Sequence, residues 1–185
     1  VLADVMGHGI AAALQTIHLI SLWNRSCHLL EHPTRFAQTV NNELEKVVKD
    51  ESFATAICGL IDANHRTVRF AAAGGPPLVV FHAAGDVEQI ESSGFPFGMI
   101  EDSEYEEVEA SFGPGDCLLL LSDGVFEIHN AQDELLGVDG FVTILQRLGY
   151  PEKGIRMKFV EEALLKFSNA LRLEDDVTLL EVRFL

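Results

Sequence analysis

The chain joins most of its strand-like segments through short turns, not helical crossovers, and this limits the folds open to it. Phe53–Asp62 and Thr67–Ala73 flank Ala63-Asn64-His65-Arg66 as a hairpin. Leu78–His82 and Asp86–Ile90 flank a second turn at Ala83-Ala84-Gly85. Between the hairpins, Gly74-Gly75-Pro76-Pro77 forces an irregular loop. Tyr105–Phe112 carries charge on one side, the pattern of an exposed or edge strand. Gly113-Pro114-Gly115-Asp116 turns the chain into Cys117–Ser122, which is apolar enough for a central strand. Val1–Val5 reads as the end of a strand and Val177–Leu185 as a closing one. Parallel neighbours would need long crossovers. The expectation is an α+β fold, with antiparallel sheets packed together and helices outside.

Four segments carry a helical period. Ile10, Leu14, Ile17, Ile20, Trp23, Cys27 and Leu30 form one apolar stripe, ended by Pro33. Thr34 suits the N-cap of a second helix running to about Asp50, with Phe36, Val40, Leu44, Val47 and Val48 inward. Val138–Leu148 is a third. Pro151–Leu171 is a longer fourth, with Ile155, Phe159, Ala163 and Phe167 on one face.

The 185 residues suit one domain, 1–185, without repeats or an internal boundary. The opening Val, placed directly in a strand, reads as a point inside a longer polypeptide. A hydrophobic fraction of 48% marks a folded protein, not a disordered one. The net charge of −16 argues against a nucleic-acid surface, which needs clustered Lys and Arg. No apolar run approaches the roughly 18 residues of a membrane span, so no membrane contact is expected. Cys27, Cys58 and Cys117 lie in apolar surroundings without paired spacing, which suggests buried, reduced thiols and a cytoplasmic location.

Three acidic motifs stand at the ends of strand-like segments: Asp4 in Asp4-Val5-Met6-Gly7-His8-Gly9, Asp123 in Ser122-Asp123-Gly124, and Asp175-Asp176 before Val177. Each has an ordinary reading. Asp4 before Gly-x-Gly suits a turn or helix cap, Asp123 a turn that bonds its own backbone, and Asp175-Asp176 a loop pair. Brought together, these carboxylates would repel one another unless a divalent cation neutralised them. Oxygen ligands favour Mg²⁺ or Mn²⁺ over zinc. His8 is the one nearby nitrogen donor, equally suited to a hydrogen-bonded turn. No nucleophile elbow and no phosphate-binding Walker loop is present.

The ordered motifs resemble the SpoIIE/RsbU-type branch of the metal-dependent, type 2C-like protein phosphatases (PPM). Asp4-Val5-Met6-Gly7-His8-Gly9-Ile10-Ala11-Ala12-Ala13-Leu14 is similar to "DVSGHGxxAAL". Ala73-Gly74-Gly75-Pro76-Pro77 looks like a variant of "NAGHPP", and Gly94-Phe95-Pro96-Phe97-Gly98 resembles "GxPLG". Leu120-Leu121-Ser122-Asp123-Gly124-Val125-Phe126-Glu127 resembles "LYTDGLTE", and Asp175-Asp176-Val177-Thr178-Leu179-Leu180 matches "DDITLL".

The resemblance implies a sandwich of two antiparallel sheets with helices on both outer faces, and two Mn²⁺ or Mg²⁺ ions at one end. Asp4 would bridge the metals, with the Val5 carbonyl assisting through water. Asp123 and Asp175 would hold the second ion, with Asp176 in support. Gly7 and His8 would lie near substrate. Catalysis by Asp4 and Asp123 would run through metal-activated water, without a phosphoenzyme, on the phosphoserine or phosphothreonine of a partner protein. The usual substrate in this branch is an anti-anti-sigma-factor-like regulator. The usual setting is an output domain behind an N-terminal sensory or receiver domain, often dimerised through sensory segments, with the first long helix setting activity.

Two departures weaken this reading. The family's earlier acidic strand, "GGDxxD", would precede Val1, so the domain is expected to lack its N-terminal strand, bind metal weakly and turn over poorly. The family's Asn and His in "NAGH" are Ala72 and Gly75 here. They favour a rival reading, a pseudophosphatase that serves as a protein-binding adaptor. Retention of Asp4, Asp123 and Asp175 favours the enzyme.

Overall fold

Alternation along paired strands sorts the side chains of this protein into three buried layers. The computed structural model describes residues 1–47 and 52–185. Among these, eight strands form two four-stranded sheets. The first sheet contains β1 (Leu2–Val5), β2 (Ala54–Asp62), β3 (Thr67–Ala73) and β6 (Val108–Ser111), in the order β1-β2-β3-β6. The second contains β4 (Leu78–Phe81), β5 (Val87–Ile90), β7 (Cys117–Leu121) and β8 (Leu179–Arg183), in the order β5-β4-β7-β8. Every pairing between these strands is antiparallel. β6 lies at an edge, as its charge pattern predicts.

The middle layer joins the sheets: Ile57, Val68 and Phe70 of the first pack with Leu78, Val80 and Leu118 of the second. Residues of opposite parity face outward. On the first sheet Ala54, Ala56, Ala71 and Ala73 are small, which lets α2 (Pro33–Glu45) settle closely through Phe36, Ala37 and Val40. On the second sheet Val79, Phe81, Leu119 and Leu121 meet Phe141 and Leu145 of α3 (Gly137–Arg147) and Val160 and Leu164 of α4 (Met157–Ser168). The result is the expected helix–sheet–sheet–helix sandwich. Each large apolar side chain fully buried in it contributes about 1.5–3 kcal/mol.

Several local expectations are corrected. In α1 (Ile10–Ser26) most of the apolar stripe is exposed, Ile10 at 82% and Ile17 at 64%, and of its large side chains Trp23 turns inward to meet Phe36. The helix buries Leu22 and Ser26 instead, with Leu19 partly buried, and these three share a different face at helical spacing. α2 starts at Pro33, so His32 and not Thr34 occupies the cap position. Pro suits a first helical position because its missing N–H has no helical partner there. α2 ends at Glu45, and Val47, expected inward, is 58% exposed; Val48 and the rest of the expected extension to Asp50 fall outside the described residues. α4 starts six residues later than expected, at Met157 in place of Pro151. Gly154 holds a φ of +65°, which the right-handed helix excludes. The covered face of α4 is centred on Val160 and Leu164, and Phe159 is 39% exposed. Cys58 and Cys117 are buried and free, but Cys27 stands exposed at the start of a 3₁₀ turn. No helix among the described residues is long and apolar enough to cross a membrane.

Candidate metal centre

Asp4 follows Leu2 on one side of β1, and Leu2 packs against the layer between the sheets. The carboxylate therefore sits where that gap opens at the end of the sandwich. β1 is held there by its register with β2, in which Asp4 lies opposite Thr55. The Met6 amide adds one more bond, to the Phe53 carbonyl at 3.0 Å. The chain then turns sharply. Gly7 and Gly9 take φ values of +94° and +80°, a region that favours glycine, and Gly9 delivers the chain into α1.

The second sheet supplies the opposing acids. β7 and β8 are antiparallel, with Leu121 opposite Leu179, so the residues after β7 and those before β8 emerge at the same end. Asp123 opens a 3₁₀ turn there, and its Oδ1 accepts the Gly124 amide at 2.9 Å. Asp175 uses the same device: its Oδ1 accepts the Asp176 amide at 2.7 Å. One oxygen of each carboxylate is thus occupied by the neighbouring backbone, which restricts the side chain.

Asp4, Asp123, Asp175 and Asp176 all line one cleft of about 650 Å³. Burial raises the Asp4 carboxyl above its ordinary range, and the facing charges of Asp123 and Asp175 add to the effect. The Val5 amide acts in the opposite direction, and Asp176 contributes further repulsion. Val5, Met6 and Gly7 also line the cleft. His8 is exposed and lies outside this lining. Among the described residues no three His, Cys, Asp or Glu side chains are already drawn into a tight ligand cage. The donor set still fits hard divalent cations: four carboxylate side chains line the cleft, with neither thiol nor imidazole among its lining residues.

Sequence reasoning missed two parts of this site. The cleft continues beneath α1 as an apolar wall that includes Leu19, Trp23, Phe36 and Phe97. Trp23 and Phe36 meet edge to face there, with centroids 5.8 Å apart. Ser122 and Gly124 were read only as neighbours of Asp123, yet both touch the Asp176 backbone. The Ser-Asp-Gly triplet was visible, but contacts spanning more than fifty residues leave no local periodic signal.

Comparison with known proteins agrees with this fold. The phosphoserine phosphatase RsbP of Bacillus subtilis is 29% identical over 131 residues, covering 69% of this chain and 32% of that protein. The chain spans well under two thirds of the curated relatives it matches most strongly. Among solved structures, the SiaA-PP2C domain of Pseudomonas aeruginosa superposes with a TM-score of 0.79 at 21% identity, covering 98% of this chain and 74% of that one. The catalytic domain of the serine/threonine protein phosphatase PstP, solved with two manganese ions, superposes with a TM-score of 0.65 at 17% identity, covering 96% of this chain and 83% of that one. These likenesses support a type 2C phosphatase fold. Residues 1–185 match the Stage II sporulation protein E (SpoIIE) family throughout, and the chain belongs to that family.

Proposed function

We propose that this protein is a Mn²⁺- or Mg²⁺-dependent phosphatase that removes phosphate from serine or threonine of a partner protein. The observation that carries the reading is the meeting of Asp4 from one sheet with Asp123, Asp175 and Asp176 from the other across one cleft. Asp4, Asp123 and Asp175 would hold two ions, with Asp176 beside them and the Val5 carbonyl acting through water. When bound, two such cations offset the charge of a phosphate and lower the pKa of a water molecule. The protein's part is to fix carboxylates on rigid strand ends, so that little rearrangement is needed. Gly7 leaves the cleft mouth open to substrate, and His8 stands beside it. Water and the phosphoester give the free alcohol and inorganic phosphate, with no covalent enzyme intermediate.

Membership of the SpoIIE family and likeness to a named phosphoserine phosphatase support the substrate class. By the same reasoning, the partner is a phosphorylated anti-anti-sigma-factor-like protein in the cytoplasm. The domain would act as the output of a longer signalling chain with a sensory or receiver domain. The test is Mn²⁺-dependent release of p-nitrophenol from p-nitrophenyl phosphate. Activity in the wild type that disappears in Asp123→Ala supports the reading, and equal rates in the two proteins would overturn it in favour of a binding adaptor.

A further inference from the structure

We propose that Ser122 is a positioning residue whose hydroxyl latches the Asp175–Asp176 loop against Asp123; its consequence for metal rests on the phosphatase reading above. In a regular antiparallel ladder, alternate facing pairs exchange two backbone hydrogen bonds, and the bond from the Ser122 amide to the Thr178 carbonyl marks a pair of that kind. Ser122 and Thr178 follow the facing pair Leu121 and Leu179, yet only half of the exchange is regular. The Ser122 amide donates to the Thr178 carbonyl at 3.0 Å. The Thr178 amide donates to the Ser122 Oγ, also at 3.0 Å, and not to the Ser122 carbonyl.

That hydroxyl in turn donates to the Asp176 carbonyl at 3.1 Å. One side-chain oxygen therefore ends the ladder and holds two backbone groups of the acidic loop. Ser122 is only 4% exposed, so little water competes for its hydroxyl. Asp123 directly follows the latch in sequence, and Asp175 and Asp176 lie just before Thr178. The bonds of Ser122 thus set the spacing between acids that approach the cleft from two separate segments.

Removing the hydroxyl leaves the fold an escape that the site lacks. Asp176 and Thr178 are themselves exposed, so their freed backbone groups can turn to water. The loop then loosens while the layered core persists. A loosened loop spreads the carboxylates over more positions and weakens their grip on a cation. Groups that orient metal ligands without touching the metal typically change affinity by about 10- to 100-fold.

The experiment compares wild type, Ser122→Ala, Ser122→Thr and Asp123→Ala. Mn²⁺ binding is read by calorimetric titration, unfolding by a metal-free thermal scan, and the Thr178 amide by hydrogen exchange. The proposal expects Ser122→Ala to weaken Mn²⁺ binding by about 10- to 100-fold, to hasten Thr178 exchange, and to leave cooperative unfolding intact. Ser122→Thr, which keeps a hydroxyl, restores both binding and protection. Wild-type Mn²⁺ affinity in Ser122→Ala, or equal loss in the Ala and Thr variants, overturns it. Equal Mn²⁺ binding by wild type and Asp123→Ala sinks the metal reading instead. Thr178 exchange then judges the latch alone: faster exchange in Ser122→Ala upholds it, and unchanged exchange overturns it.

Discussion

Gly124 lies so close to the Asp176 carbonyl that a Cβ at this position would overlap it. The same Cβ would come within 3.1 Å of the Asp176 carbonyl carbon and 3.2 Å of the Asp175 Cβ. The neighbours are backbone atoms and a side-chain root, so neither can swing aside. Glycine is needed here for close approach. Gly124→Ala is expected to force the acidic loop away from Asp123. Overpacking of this kind costs about 1–3 kcal/mol, and Mn²⁺-dependent turnover should fall by at least about tenfold as the acids separate. Thermal unfolding together with p-nitrophenyl phosphate kinetics checks both parts. A variant with normal turnover would show that the close approach has no functional role.

The repulsion among the acids gives a second prediction, of opposite sign with and without metal. Burial, followed by Asp123 and Asp175, raises the Asp4 carboxyl. A carboxyl raised in the folded state binds more protons there than in the unfolded chain, so its ionisation works against folding as pH rises. Asp123→Asn removes one source of that repulsion. The metal-free variant should be more stable than wild type at neutral pH. Solvent screening in the open cleft limits the gain to about 1 kcal/mol, or about 2–4 °C. Mn²⁺ should reverse the order. Ligand at about 100 times its Kd adds about 2.7 kcal/mol to the wild type, and the variant should gain far less. Melting curves with and without Mn²⁺ decide. A metal-free variant less stable than wild type contradicts the argument.

Much of this molecule was legible in its sequence wherever the signal was local. β3 falls on Thr67–Ala73 as expected, because a clear turn and a run of small and branched residues bound it. The three acid motifs occupy strand ends because each adjoins an apolar segment that must be buried. What failed was information carried only by distant partners. The stripe of α1 has the right period, but periodicity cannot say which face a helix lays on the sheet. Leu22 and Ser26, off that stripe, are the residues of the helix that are buried. Gly154 shows the other limit: its conformation keeps α4 from starting at Pro151, although the apolar spacing from Ile155 onward suits a helix. Ser122 looked like an ordinary strand-end residue, since its partners lie at Asp176 and Thr178.

Away from the site, Asp116 gives a pH prediction for the fold itself. Its Oδ1 accepts the Ala83 amide at 2.8 Å, and its Oδ2 accepts the Gly113 amide at 2.8 Å and faces His82 Nδ1 at 3.2 Å. Burial alone would raise its carboxyl, but the two amides and then His82 hold it below its ordinary value. Burial alone would likewise lower His82, but Glu88 and Asp116 hold it above its ordinary value. The Asp116 contribution is therefore present above about pH 3.9 and lost as pH falls through the depressed value. The His82 contribution is complete below about pH 6.5 and lost as pH rises through the elevated value. Asp116→Ala leaves two backbone amides without their partner and should cost about 2–4 kcal/mol. Thermal midpoints measured from about pH 3 to about pH 9 should show both limbs in wild type and flatter ones in the variant. Parallel curves offset by a constant would refute this assignment.

Asn41 ties α2 to the loop that forms the far wall of the cleft. It is a fully buried amide on an otherwise apolar helix face. Its Oδ1 accepts the Gly98 amide at 2.9 Å, and its Nδ2 donates to the Ile100 carbonyl at 2.9 Å. Phe97, just before Gly98, exchanges two backbone bonds with Ala54, at 2.8 and 3.0 Å, and places its ring in the cleft lining. The side chain of Asn41 therefore does for this loop what a strand partner does for a strand. Asn41→Leu keeps the approximate volume but supplies neither bond, which leaves the Gly98 amide and the Ile100 carbonyl without this partner. The expected loss is about 2–4 kcal/mol, or roughly 4–16 °C in thermal midpoint. Asn41→Asp isolates the donor: it keeps the bond to Gly98, loses the one to Ile100, and buries a charge if ionised. It should approach wild-type stability only as pH falls and the new carboxyl takes up a proton. Melting both variants at about pH 4 and about pH 7 tests this, and an Asn41→Leu protein as stable as wild type would remove Asn41 from the account of how the cleft wall is held.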